Sequence, residues 1–240
     1  MRTRLLYTLV LPSVLVWSSA ARADETPATR NALLAPLLDQ PYTLAQLGVG
    51  VLSLPSASVC LAALPCTKGD TSIEINFWQM YRANRLFAVG AGASVALKPT
   101  TDTTTTETGQ ARNHSRSYFL VEAQGRYYAV HTIPFEAYLG ATVGGIVLSD
   151  RYSNAGGTPV TIAIIGPRDS TLRTEGLSLG GVIGLSWSFA PNWAFGATIR
   201  YLRWFLPHIP ATTVFLDRAS LTDQQSAVDL GINATYRIAL

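Results

Sequence analysis

The chain has 240 residues, 18 basic against 15 acidic, and only two cysteines. Residues 1–23 read as a secretory signal: Arg2 and Arg4 precede an apolar core from Leu5 to Trp17, and Ala21-Arg22-Ala23 forms a small-x-small cleavage site. Cleavage there removes three arginines and leaves fifteen basic residues against fifteen acidic ones, so net charge gives no support for a nucleic-acid or anionic partner.

Residues 24–42 form a polar, proline-punctuated lead-in with one apolar patch, 33–38. Eight strand candidates follow, each read from alternation of apolar and polar residues, since successive side chains on a strand face opposite sides. They are 43–54, 71–82, 86–98, 117–128, 135–149, 176–189, 193–205 and the terminal stretch from 227. The alternation is weakest in the first. It is cleanest in the last, where Val228, Leu230, Ile232, Ala234, Tyr236 and Ile238 alternate with Asp229, Gly231, Asn233, Thr235 and Arg237. A terminal strand this regular leaves an open edge unless it pairs with the first strand and closes a barrel. No mature segment is a convincing membrane helix; 139–148 is apolar but only ten residues long and holds three glycines.

The connections alternate in length. Those at 83–85, 131–134 and 190–192 are short. Those at 55–70, 99–116, 150–175 and 206–225 are long and polar, and 100–108 is threonine-rich and low in complexity. Short turns at one end and long loops at the other form the pattern of an outer-membrane barrel. Aromatic residues gather at the short-turn end: Tyr81, Phe87, Tyr127, Phe135, Phe189, Trp193 and Tyr236, a candidate interfacial girdle. The apolar faces hold the larger residues and the polar faces hold Gly, Ser, Ala and Thr, which fits a narrow lumen.

These features resemble the small bacterial outer-membrane β-barrels of the OmpA/OmpX type over about 43–240. The signal peptide, eight amphipathic strands, loop asymmetry, terminal strand and the run Trp193-Ala194-Phe195-Gly196-Ala197 after a Pro-Asn turn carry the likeness. It implies an all-β, eight-stranded antiparallel transmembrane up-and-down barrel, with the N-terminus in the periplasm and four long loops outside. It also implies contact with outer-membrane lipid and lipopolysaccharide, and with the barrel-insertion machinery during biogenesis. The final residue in that family is usually aromatic; here it is Leu240.

In such a barrel the lumen would hold Glu74, Glu122, Arg126, Glu136, Arg200, Asp229 and Arg237. Glu136, Arg126 and Arg237 would lie near the short-turn rim, with Glu74, Glu122 and Arg200 nearer the middle. Buried charges must pair, so the set reads as a charge-paired plug, with a narrow porin-like channel for small solutes as the alternative. A soluble secreted ligand-binding barrel would require the apolar rows inside. Cys60 and Cys66, exported together, read as a loop disulfide. His114 and His208 fall in expected long loops and His131 at a turn. No nucleophile–base pairing, metal cluster or phosphate loop is legible, so the reading is a non-enzymatic structural or surface-interaction protein without a cofactor. Its loop partner has no signature in the sequence.

Overall fold

The computed structural model describes residues 41–59, 67–97, 102–105, 111–132, 134–154, 169–213 and 217–239. The signal segment, most of the lead-in, Cys60 and Cys66 lie outside them. The described strands are β1 Tyr42–Val59, β2 Thr67–Arg82, β3 Phe87–Leu97, β4 Asp102–Thr105, β5 Ala111–His131, β6 Phe135–Asn154, β7 Ser170–Ala190, β8 Trp193–Phe205 and β9 Gln224–Ala239. All pairings are antiparallel between neighbours, and β1 meets β9 from Tyr42↔Ala239 to Ser53↔Val228. The lower part of β5 pairs with β3 and its upper part with the short β4, so these two share one place in the wall. The wall is a closed ring of eight positions.

The register fixes the geometry. The outward residues Ser117, Leu97, Ile73, Val51, Leu230, Ile199, Ile183, Leu139 and Tyr127 are successive partners around the barrel. The circuit therefore returns to β5 ten residues along. For eight strands and a shear of ten, the strands tilt by about 40° and the backbone radius is about 8 Å. That width leaves room for side chains and little else.

Alternation decides the two faces. Leu47, Ile75, Val121, Leu139, Ile183, Ile199 and Ile232 stand exposed on the outside, and their strand neighbours face the lumen, buried or half-buried. The apolar rows expected to face lipid do point outward, which a soluble ligand-binding barrel could not use. The belt has a clear upper edge, where Phe119 and Val147 give way to Ser117 and Ser149. From Leu177 to Phe189 the outer row of β7 spans twelve strand steps, a rise of roughly 30 Å at this tilt, enough for a bilayer core.

Three expectations change. The strands are longer than the alternation suggested: β5 starts at Ala111, β6 runs to Asn154 and β7 starts at Ser170. Beyond the belt both faces of these strands carry polar residues, so hydropathy stops alternating although pairing continues. The threonine-rich stretch contains a strand, β4, paired with 111–114. The lumen is also not lined only by small residues. Trp78, Trp204, Tyr118, Tyr128 and Tyr138 are buried within it. Inward glycines make the space: a Cβ at Gly92 would strike the Trp78 ring, and one at Gly184 the Tyr138 ring.

Candidate functional site

The inward polar side chains form three tiers. Nearest the short-turn rim, Arg82 Nη1 donates to Glu136 Oε1 at 2.5 Å and to the Tyr42 hydroxyl at 2.7 Å, while Arg237 Nη2 donates to Glu136 Oε2 at 2.9 Å. The Arg82 guanidinium lies 3.8 Å from the centre of the Tyr128 ring, a cation–π contact. Its remaining nitrogens donate to the backbone carbonyls of Asn84 and Arg85, tying the turn to this tier. Arg126 donates to the side-chain carbonyls of Gln46 and Gln124 and stacks on Tyr138 at 4.5 Å.

The middle tier centres on Arg200 from β8. Its guanidinium donates to Asp229 Oδ2 at 2.7 Å, to Glu122 Oε2 at 2.9 Å, and to Glu74 Oε1. One side chain thus ties β8 to β9, β5 and β2 across the lumen. Ser178 Oγ donates to Glu122 and Asn76 Nδ2 to Glu74.

The structure brings together Glu74, Glu122, Arg200 and Asp229, and separately Glu136 and Arg237. It leaves Arg126 among neutral amides. Sequence reasoning missed Arg82. It is the last residue of β2, beside the turn, where alternation alone assigns no face with assurance. Its inward parity with Met80 and Trp78 was the available signal. With Arg82, these two tiers hold four carboxylates and four guanidiniums among the described residues. They are unequally divided: three guanidiniums to one carboxylate at the rim, three carboxylates to one guanidinium in the middle.

Above the middle tier lies an apolar layer that includes Leu52, Leu54, Leu120, Ile146, Leu148, Leu202 and Trp204. This layer was also missed, because Leu52/Leu54, Leu120, Ile146/Leu148 and Leu202/Trp204 come from separate strands and become one cluster only when the ring closes.

The third tier stands above the belt. Arg116 Nη1 donates to Asp70 Oδ2 at 2.5 Å, and the Tyr118 hydroxyl donates to the same oxygen at 2.7 Å. His114 Nε2 meets Asp150 Oδ1 at 2.7 Å, stacked on Tyr152 with ring centres 4.6 Å apart. His114 was expected in a loop; it lies on β5, facing in and buried. The described residues 206–213 and 217–223 fold over this tier as a strap. Ser220 donates to Asp150 from both its backbone N–H and its hydroxyl, Asp217 accepts from Arg112 at 2.9 Å, and Tyr152 donates to the Arg218 carbonyl at 2.6 Å. Leu206 and Leu221 of the strap pack into the apolar layer. Its base is closed by Leu206 N–H to the Asp223 carbonyl, with Asp223 in the left-handed region at φ 59°. On the surface His208 Nδ1 lies 2.5 Å from Asp223 Oδ1; this hydrogen bond and the carboxylate charge hold the imidazole pKa above its ordinary value. The His114–Asp150 pair is buried, with Ser220 bonded to Asp150.

Outside, the aromatic residues of the short-turn end form neighbouring contacts. Phe87 and Tyr127 lie 5.3 Å apart, Trp193 and Tyr236 4.9 Å, and Phe189 stacks on Phe195 at 4.8 Å. Tyr81 and Phe135 are exposed on the same end, and Trp187 and Phe195 extend the set.

No family model matches the sequence, and no curated protein does. Solved structures do. The neisserial surface protein NspA superposes with a TM-score of 0.54 at 13% identity, over 81% of this chain and 96% of that one. This chain has the fold of the small bacterial outer-membrane β-barrels. Ail, the attachment invasion locus protein of Yersinia pestis, aligns with a TM-score of 0.49 at 12% identity, over 83% of this barrel and 99% of its own chain. At such identities the likeness is one of fold. The OmpA/OmpX-type architecture expected of this outer-membrane barrel is the one it has.

Proposed function

We propose that this outer-membrane barrel is a non-conducting membrane anchor that presents a rigid surface for interaction outside the cell. The observation that carries the reading is the protruding sheet. Residues 111–116, 149–154 and 170–175 continue β5, β6 and β7 past the polar edge of the belt, a rise of roughly 15 Å at 3.3 Å per residue and the same tilt. The strap supports this sheet from within. Below it, the apolar layer and the two charged tiers fill the lumen, which favours a plug over a channel. Among the described residues, 170–176 of β7 have no strand partner on the β8 side, since that pairing ends at Leu177↔Phe205. Such an edge offers backbone donors and acceptors to an incoming segment.

Outer-membrane lipid and lipopolysaccharide at the belt, and the insertion machinery during biogenesis, belong to the same reading. So do cleavage after Ala23 and a Cys60–Cys66 disulfide, which mass spectrometry of the mature chain before and after reduction tests. The functional test uses a photo-crosslinking residue at Arg173 in intact cells, with one at lipid-facing Ile232 as control. Adducts with extracellular material at Arg173 only are expected. Equal yields at both sites, together with a salt-dependent single-channel conductance, would replace this reading with the channel.

A further inference from the structure

The rim tier is incompletely packed. A cavity of about 10 Å³ lies within it, lined in part by Arg126, Glu136, Ser186, Asn233, Thr235 and Arg237. That is space for a single water-sized guest. Its lining holds a donor without an acceptor and more positive than negative charge. Asn233 is more than nine-tenths buried, and its amide nitrogen has no hydrogen-bond partner. Two guanidiniums face the cavity against one carboxylate, and that carboxylate already accepts from Arg82 and Arg237. Arg126 donates to Gln46 and Gln124, neither of which offsets its charge. The nearest negative excess lies deeper, where Arg200 already engages all three carboxylates.

A buried donor left without an acceptor costs free energy, and so does uncompensated buried charge. A water molecule in the cavity could accept from the Asn233 amide, but it would bring no charge to a tier that holds three guanidiniums against one carboxylate. A monatomic anion brings only acceptor capacity and one negative charge, in a volume close to that of water. We propose that this cavity binds one small monatomic anion of the halide class. The anion would accept from the Asn233 amide and lower the positive excess of the Arg82, Arg126 and Arg237 tier. It would then serve as a structural ligand at the periplasmic end of the plug.

The test uses the full mature chain in detergent micelles. Its thermal unfolding midpoint is followed in chloride and bromide against gluconate at constant ionic strength. A saturable rise of the midpoint in both halides, and not in gluconate, is expected, because a ligand bound only by the folded state stabilises it in proportion to its occupancy. The variant Asn233→Asp supplies a carboxylate from within the chain and is expected to lose the halide dependence. Crystals grown in bromide should show one anomalous peak beside Asn233. No difference between halide and gluconate in the natural sequence, a halide dependence unchanged in Asn233→Asp, or a cavity without anomalous signal would each overturn the proposal. If Asn233→Asp fails to fold, the bromide peak in the natural sequence decides.

Discussion

Arg200 is the residue whose loss the barrel should feel most. Its guanidinium touches Glu74, Glu122 and Asp229, all buried, so Arg200→Met would strand three carboxylates in a narrow lumen. Removing one partner of a buried ion pair costs about 3–5 kcal/mol, and the urea midpoint of the variant should fall accordingly. Gly184 tests packing in place of charge. Gly184→Ala puts a methyl group into the Tyr138 ring, and the overpacking should cost about 1–3 kcal/mol in the same assay. His208 gives the pH dependence. Its pKa is raised in the folded state by Asp223, so the contact contributes fully below the ordinary imidazole value of about 6.5 and is lost as pH rises through the elevated one. An NMR titration of His208 should show this elevation in the natural chain and its disappearance in Asp223→Asn; identical titrations would refute the assignment.

At the scale of elements, what could be seen in the sequence depended on the solvent. Where lipid lies on one side, as along 135–147 or 177–189, alternation gives the strand and its facing directly. Above the belt the outer face of β5 turns to Asn113, Ser115 and Ser117 while its inner face holds Arg112, His114 and Arg116, and the two are equally polar. Nothing in that stretch distinguishes strand from loop, so the protruding sheet was read as loops. The facing of Glu74, Glu122, Arg200 and Asp229 could be read because each stands between apolar or aromatic neighbours. The contacts of Arg82 and Asp150 depended on partners 54 and 70 positions away, a relation alternation does not encode. The strap shows the same dependence, and it can be loosened selectively. Asp150→Asn removes the charge that holds Ser220, and a hydrogen bond to a charged group contributes about 1.5–3 kcal/mol. Hydrogen exchange at the Ser220 amide should quicken by roughly tenfold to a hundredfold, while the β1–β9 seam keeps its protection. Uniform acceleration across the seam would indicate general unfolding and defeat the idea of a separable strap.

For the whole molecule, the proposed closure of the lumen does not depend on any one tier. The apolar layer of Leu52, Leu120, Leu202 and Trp204 lies between the middle charges and the strap. Releasing the strap should therefore leave the barrel shut. Planar bilayers holding the natural chain or Asp150→Asn should both stay silent above background leak. Stepwise currents in the variant would make the strap a gate.

The ten-residue step of the closed circuit has a consequence for how such a chain can change. A wall with lipid outside and charge inside tolerates only even displacements between neighbouring strands, because an odd one would turn Asp229 and Arg200 outward and Ile232 and Leu230 inward. Substitution is thus weakly policed wherever size class and facing are kept. A lost or gained residue within a strand must be absorbed by a bulge, as at Tyr128/Val130 and Ser188/Ala190, or be matched by a second. Sequence in this architecture can be loose in spelling and strict in parity, which suits a fold held in common with NspA at 13% identity.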